Sequence, residues 1–274
     1  MVNVSNLEFG YGKIPVLTNL NLSLEEGNIY GLLGKNGVGK STLLKLLCGL
    51  LRPTAGDISI WGYSPVERKP DFLKDIYFLP EDFISPKLSP MEYSSIYSPF
   101  YPTYDHGLFC SLLKQFEVEP DMKLTKLSFG QQKKAMIAFA LALQTKILVM
   151  DEPSNGLDIP SKQQLRQSLS GAISPDRIIV ISTHQARDLE NLIDPIIIMD
   201  NDGVILNRSV AQISQKLYFS LEKEVLPTAI YSEITLGGVL NISVNSASLE
   251  SVVNIEALFN AVLTNRDLIV SLFR

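Results

Sequence analysis

Residues 34 to 42 read Gly34-Lys35-Asn36-Gly37-Val38-Gly39-Lys40-Ser41-Thr42 and complete the spacing G-x-x-x-x-G-K-[ST]. That spacing suits a triphosphate. Glycines at 34, 37 and 39 allow positive φ and close approach of the backbone, while successive N–H groups at a helix start point at the anion. Lys40 is placed to reach the β- and γ-phosphates, and the Ser41 hydroxyl to ligate Mg²⁺. An ordinary glycine turn opening a helix is the competing explanation. It is disfavoured because every constrained position and both flanking segments agree.

A second chemical element is Ile147-Leu148-Val149-Met150-Asp151-Glu152-Pro153, an apolar run ending in two carboxylates. In open α/β sheets ligands sit beyond the carboxyl ends of the strands, so Asp151 is expected to reach the Mg²⁺ held by Ser41, directly or through water. Glu152 is then free to orient and polarise the attacking water. A third element is His184, which follows the apolar run 178–182 at the same sheet edge and is placed to hydrogen-bond the γ-phosphate or that water. His106, in a Tyr- and Pro-rich stretch, reads as structural, and no Cys/His spacing suggests zinc.

These groups need elements to hold them. The apolar segment 29–33 before the glycine loop and the periodic Leu43, Leu44, Leu46, Leu47 and Leu50 after it give strand, turn, helix. Runs 147–150, 178–182 and 196–199 look like strands of a parallel sheet buried on both faces, and Asp202-Gly203 like the hairpin turn into 204–206. Residues 2–33 read as short strands around a Tyr11-Gly12 turn, with another strand at 56–61, together an N-terminal β layer. From Pro80 to about residue 135 loops and helices punctuated by Pro86, Pro90, Pro99 and Pro102 form a helical insert. Beyond residue 217 a hairpin (229–236, Gly237-Gly238, 239–244), a helix-like segment 249–262 and a last strand at 268–273 form a small α+β appendage.

Composition sets the frame. The chain has 274 residues, a net charge of −5 and a pI near 5.2, which leaves no electrostatic footprint for nucleic acid. Two cysteines, Cys48 and Cys110, suit buried thiols in a reducing compartment. The N-terminus lacks the pattern of a signal peptide, and the longest apolar stretch, 135–143, is about half the ~20 residues that span a bilayer. A cytoplasmic chain that does not itself span the membrane is expected. Asn-x-Ser triplets, among them those at Asn3, Asn207 and Asn241, carry no meaning there.

Four ordered motifs now carry a resemblance: the chain resembles the ATP-binding subunit of an ABC transporter. Leu127-Ser128-Phe129-Gly130-Gln131 is close to the family's L-S-G-G-Q signature and precedes Asp151 as the family places it. Ser154-Asn155-Gly156-Leu157-Asp158 is similar to the D-loop, with Asp158 its acidic member, and Ser182-Thr183-His184 to the switch-histidine loop. Tyr11 matches the position at which family members stack an aromatic ring on adenine. The resemblance covers about residues 2–210. It implies an α/β fold: a P-loop NTPase core with a mostly parallel sheet, an N-terminal antiparallel β layer, a helical signature subdomain at about 82–135 within a domain of residues 1–216, and a small α+β domain at 217–274.

The resemblance also implies ATP and Mg²⁺ as cofactors, with Ser41, Glu81 and Asp151 on the metal and residues 34–42 with Tyr11 on the nucleotide. Each ATP would be held between the phosphate loop of one cassette and Ser128, Phe129, Gly130 and Gln131 of another, so a homodimer or a homologous second chain is implied. A membrane-spanning subunit on a separate chain would convert ATP-driven closure into transport, with somewhat closer likeness to exporter-type cassettes and a place on the cytoplasmic face of the membrane. A soluble non-transport ABC-type ATPase and a weakly hydrolysing regulatory module are the other readings. The sequence departs from the family at Glu81, where glutamine is usual, at Phe129, which replaces a glycine, at Asn155-Gly156, and at Phe139, where many members carry arginine. The aromatics Tyr93, Tyr97, Phe100, Tyr101, Tyr104 and Phe109 either face a membrane partner or pack the helical insert.

Overall fold

A computed structural model describes residues 1–190 and 192–273. Strands β1 (Val2–Tyr11) and β2 (Ile14–Leu24) form one long hairpin where short strands were expected. Strand β3 (Asn28–Gly34) runs into the glycine loop and helix α1 (Lys40–Leu47), and β4 (Ala55–Ile60) pairs with β1 to complete an antiparallel sheet ordered β2-β1-β4. After helix α2 (Pro70–Leu73) comes β5 (Ile76–Leu79), and then the insert: α3 (Pro90–Tyr97), α4 (His106–Gln115) and α5 (Phe129–Ala142). The chain returns through β6 (Ile147–Asp151), α6 (Ile159–Ser170), β7 (Ile178–Thr183), β8 (Ile196–Asp200) and β9 (Gly203–Arg208).

The central sheet has the order β5-β6-β7-β3-β8-β9, parallel except for the β8–β9 hairpin at its edge. Its strands explain their near-continuous apolar runs. Alternate residues face opposite sides, so Val149, Val180 and Ile197 join the core shared with α1 and the antiparallel layer, while Leu148, Ile179 and Ile196 join the core under the helical insert. Both faces being covered, no position on these strands is left for a polar residue until the carboxyl ends.

Helix α7 (Val210–Lys216) leads into the appendage: β10 (Leu217–Glu222), β11 (Ala229–Thr235), β12 (Gly238–Val244), α8 (Ile255–Thr264) and α9 (Arg266–Leu272). Two expectations are corrected here. Residues 266–272 are helical, not a strand, because the sheet β10-β12-β11 is already complete and a helix lets Ile269 reach the core while neighbouring Leu268 stays half-exposed. The helical segment begins at Ile255, capped by the Asn254 side chain, six residues later than the apolar pattern suggested. The buried residues of α8 belong to the same hydrophobic core as the sheet face beside them.

A third correction concerns Cys110, which is exposed on α4, whereas Cys48 is buried as expected and its thiol is pushed up by desolvation. Asn241 is fully buried and its amide is engaged with Leu226, Ser232, Glu224 and Val239, so its Asn-x-Ser triplet is structural.

The departure at Phe139 has a packing reason. The ring sits at the centre of the insert, with the rings of Tyr93, Phe109, Tyr77 and Tyr104 at centroid distances of 5.0, 6.0, 5.9 and 6.1 Å. Each such pair contributes about 0.5–1.5 kcal/mol beyond area burial. A guanidinium there would have no carboxylate among these neighbours. Tyr93, Tyr104 and Phe109 are therefore packing residues of the insert, while Tyr97 and Phe100 remain exposed. Replacing Phe139 with Ala is expected to lower stability by about 3–5 kcal/mol, measurable as a reduced midpoint in chemical denaturation with loss of the near-ultraviolet aromatic signal.

Candidate functional site

The carboxyl edge of the central sheet carries the chemistry. Strand β3 ends in the glycine loop, in which Gly37 and Gly39 have φ of 86° and 99°, a left-handed geometry that costs other residues about 1 kcal/mol or more. Gly34 differs from expectation: its φ is not positive, and its lack of a side chain is needed because a Cβ there would lie 2.8 Å from Val38 and 2.9 Å from the Met199 carbonyl. Val38 is thereby a buried packing residue of the loop. Tyr11, Asn36, Gly37, Gly39, Lys40, Ser41 and Thr42 line a cleft of about 390 Å³, and Glu81 and Glu152 face them across it. The Tyr11 ring is half-exposed at the rim and braced edge-on by Phe9 at 5.0 Å.

Lys40 is the buried cation of this cleft. Its Nζ donates to the carbonyls of Gly34 at 2.7 Å and Lys35 at 3.2 Å and lies 3.9 Å from a Glu152 carboxylate oxygen. Desolvation pulls its ionisation down, and the carboxylates of Glu152, Asp151 and Glu81 oppose that pull. Glycine-loop N–H groups, the α1 N-terminus and this ammonium all favour an anion in one place.

Strand β6 delivers Asp151 and Glu152, each 4 % exposed, beside β7. Asp151 accepts a hydrogen bond of 2.5 Å from the Ser182 hydroxyl on one carboxylate oxygen, which leaves the other for a different partner. His184, just past β7, brings Nδ1 to 2.9 Å from a Glu152 oxygen, while its Nε2 lies 3.2 Å from the Gln185 amide. Glu152 itself has φ of 45°, a left-handed conformation that costs a non-glycine residue on the order of 1–3 kcal/mol. Its N–H donates to the Ser182 hydroxyl at 3.0 Å and its carbonyl accepts from Lys133 at 2.7 Å, so the strained peptide is held from both sides.

The signature and D-loop residues lie outside this cleft. Ser128 caps α5, its hydroxyl accepting from the Gln131 N–H at 3.3 Å while the Gln131 side chain accepts from the Ser128 N–H at 3.2 Å, a reciprocal box. Gly130 packs at the start of the same helix, so Ser128, Gly130 and Gln131 present a helix N-terminus to whatever lies opposite. Phe129 turns sideways, stacking on Phe83 at 6.3 Å and lying over Gly156, where an added Cβ would be 3.0 Å from the ring. The departures at 129 and 156 are thus complementary in shape. Asp158 caps α6 by accepting from the Ser161 N–H at 2.9 Å, and hydrogen bonds from Ser161 hold its carboxyl below the usual range.

Glu81 and Asn155 are also paired, the Asn155 amide donating to the Glu81 carboxylate at 2.7 Å. Sequence reasoning missed three site residues: Ser182 as the Asp151 partner, Asn155 as the Glu81 partner, and Lys133. The last had a legible signal, since Lys133 sits one helical turn before the buried Met136 and Ile137. Arg187, beyond His184, pairs with Glu256 of α8, so the appendage touches the histidine loop.

Oxygen donors at Ser41, Asp151 and Glu81 suit a hard divalent ion such as Mg²⁺. Among the described residues no group of three or more His, Cys, Asp or Glu side chains forms a metal cage.

Comparison with known proteins gives the family and the fold. The family model described as ABC transporter matches residues 17–155. The chain is 31 % identical over 209 residues to the lantibiotic transport ATP-binding protein SrtF of Streptococcus pyogenes, covering 76 % of this chain and 90 % of that one. It is 29 % identical over 211 residues to the bacitracin transport ATP-binding protein BcrA of Bacillus licheniformis, covering 75 % of this chain and 68 % of that one. A solved ATP-binding subunit of an ABC transporter superposes with a TM-score of 0.71 at 26 % identity, covering 78 % of this chain and 91 % of the other. A dimeric ATP-binding cassette in a post-hydrolysis state bound to ADP and Pi superposes with a TM-score of 0.66 at 27 % identity, covering 76 % and 98 %. Phosphate loop, capped signature helix, paired carboxylates and histidine loop follow one another in this order along the chain, and with these matches the chain belongs to the ABC transporter family, an ATPase family, as an ATP-binding subunit.

Proposed function

We propose that this chain hydrolyses ATP between two cassettes and thereby drives a separate membrane-spanning subunit, in the direction of export. The observation that carries the reading is Glu152 at the sheet edge, which lines the cleft with Lys40, lies 3.9 Å from the Lys40 ammonium and takes the His184 imidazole at 2.9 Å. The residues fit a magnesium-bound triphosphate: residues 34–42 would bind the phosphates, Tyr11 would support the base, and Ser41, Asp151 and Glu81 would hold the ion, which would neutralise phosphate charge. Glu152 orients and accepts a proton from the attacking water, and His184 fixes the Glu152 carboxylate.

A second cassette is supported by where the signature lies. At the start of α5 Ser128 is exposed and Gly130 and Gln131 are half-buried, and none of them lines the cleft of the chain's own phosphate loop, so a nucleotide meeting them would be held by a second cassette. ATP bridging the two would favour the closed pair over the open one, which is how binding energy becomes movement. Names of the relatives support transport of antibiotic peptides and related products, and a further relative, 31 % identical over 205 residues, is a Nod factor export ATP-binding protein of Burkholderia orbicola.

No helix among the described residues is long and apolar enough to cross a membrane, and in this reading the spanning subunit is a separate chain. A groove of about 460 Å³ between the cassette core and the insert suits it, lined by Leu50, Tyr77, Phe78, Phe100 and Tyr101. Leu50 and Phe100 are 50 % and 70 % exposed there, an apolar rim that a partner helix would cover.

Two outcomes test the reading. Glu152→Gln should cut steady-state ATP turnover by about 10²-fold or more while ATP now stabilises a dimer on size exclusion; ordinary turnover by that variant would remove Glu152 from its role. Phe100→Ser should lose co-sedimentation with membranes of the native cell while circular dichroism and melting stay unchanged; retained recruitment would exclude the groove.

A further inference from the structure

Lys133 is a fully buried cation on the signature helix with no part in the chemistry described so far. Its Nζ donates to the Glu152 carbonyl at 2.7 Å and to the Asn155 carbonyl at 3.0 Å. Those two peptides are the ends of one turn, since the Asn155 N–H donates to the same Glu152 carbonyl at 3.2 Å. The turn begins at the residue with φ of 45° and ends at the residue whose amide donates to Glu81 at 2.7 Å. One ammonium thus clamps the segment that connects the catalytic carboxylate to the cleft-facing loop at Glu81.

Chemistry favours lysine in this place. Burying an ammonium is costly unless it is paired and hydrogen-bonded. Here the carboxylates of Glu81, Glu152, Asp82 and Asp151 oppose the desolvation that pulls its ionisation down. The replacement of a neutral residue by Glu81, otherwise an added negative charge near a triphosphate, is matched by a cation one residue pair away. An apolar side chain at 133 would leave the Asn155 carbonyl without this donor and free the left-handed peptide at Glu152 to relax.

We propose that Lys133 is a positioning residue for hydrolysis: its ammonium locks the turn from Glu152 to Asn155 and so couples the aim of the Glu152 carboxylate to the orientation of the signature helix. The inference rests on the reading of Glu152 as the hydrolytic residue. Movement of the helical insert relative to the core reaches the catalytic carboxylate through this contact, because Lys133 belongs to α5 and its acceptors to the end of β6.

The test uses the full chain with Lys133→Met. kcat for ATP hydrolysis should fall roughly 10- to 100-fold, the loss expected from displacing a catalytic group by about 1 Å, while KM for MgATP stays within about twofold. Hydrogen–deuterium exchange of the nucleotide-free protein should show faster exchange confined to residues 150–158. Lys133→Gln, which keeps one amide donor, should fall between the parent and the Met variant; if the Met variant does not fold, the Gln variant carries the comparison. A kcat within twofold of the parent, a loss seen in KM alone, or unchanged exchange at 150–158 would overturn the proposal. A parent whose turnover does not depend on Glu152 overturns both readings, whereas a Glu152-dependent parent with an unaffected Lys133→Met variant overturns this one alone.

Discussion

Opposite charges that are almost wholly withdrawn from water, Lys40 against Glu152 at 3.9 Å with Asp151 beside them, set the terms for the rest of this molecule. Buried charges persist only where partners and fixed dipoles compensate the lost hydration. The sheet supplies that compensation. Parallel strands covered on both faces end together at one edge, where glycine-loop amides and the start of α1 add positive potential and Ser182 ties down Asp151. A nucleotide's phosphates would complement the positive potential gathered here, which ties nucleotide binding to the fold.

The same edge links three parts of the chain that sequence separates widely. The insert contributes Lys133 and Glu81, the cassette core contributes Glu152 and His184, and the appendage reaches the histidine loop through Glu256. Interactions of this kind are short and charge-assisted, so they transmit small displacements with little slack. The Glu152 backbone is consequently tied through Lys133 to the helical insert, the part that lines the apolar groove at Phe100 and Tyr101.

Departures from the family pattern resolve into compensated pairs. Phe129 fits over Gly156, Glu81 is held by Asn155 and balanced by Lys133, and Phe139 organises an aromatic core in the insert. None was legible as a pair in the sequence, because each partner lies across a loop or a domain boundary and neither residue has a pattern of its own. The single positions were visible as anomalies; their meaning lay in contact.

The amino-acid sequence by itself determined the glycine loop, the strand ends bearing Asp151 and Glu152, the histidine loop and the order of the layers. These follow from local backbone demands and from hydrophobic periodicity, which act over a few residues. It was ambiguous where a short apolar run fits either period, as at 266–272, and where composition stood in for burial, as at Cys110. Tertiary structure alone decided that Lys133 is buried under the turn from Glu152 to Asn155, that Ser182 holds Asp151, and that Phe129 turns toward Gly156. The reason is physical: a hydrogen bond or a desolvated charge depends on which distant residue arrives at 3 Å, and that is fixed only when the two cores close on the sheet between them.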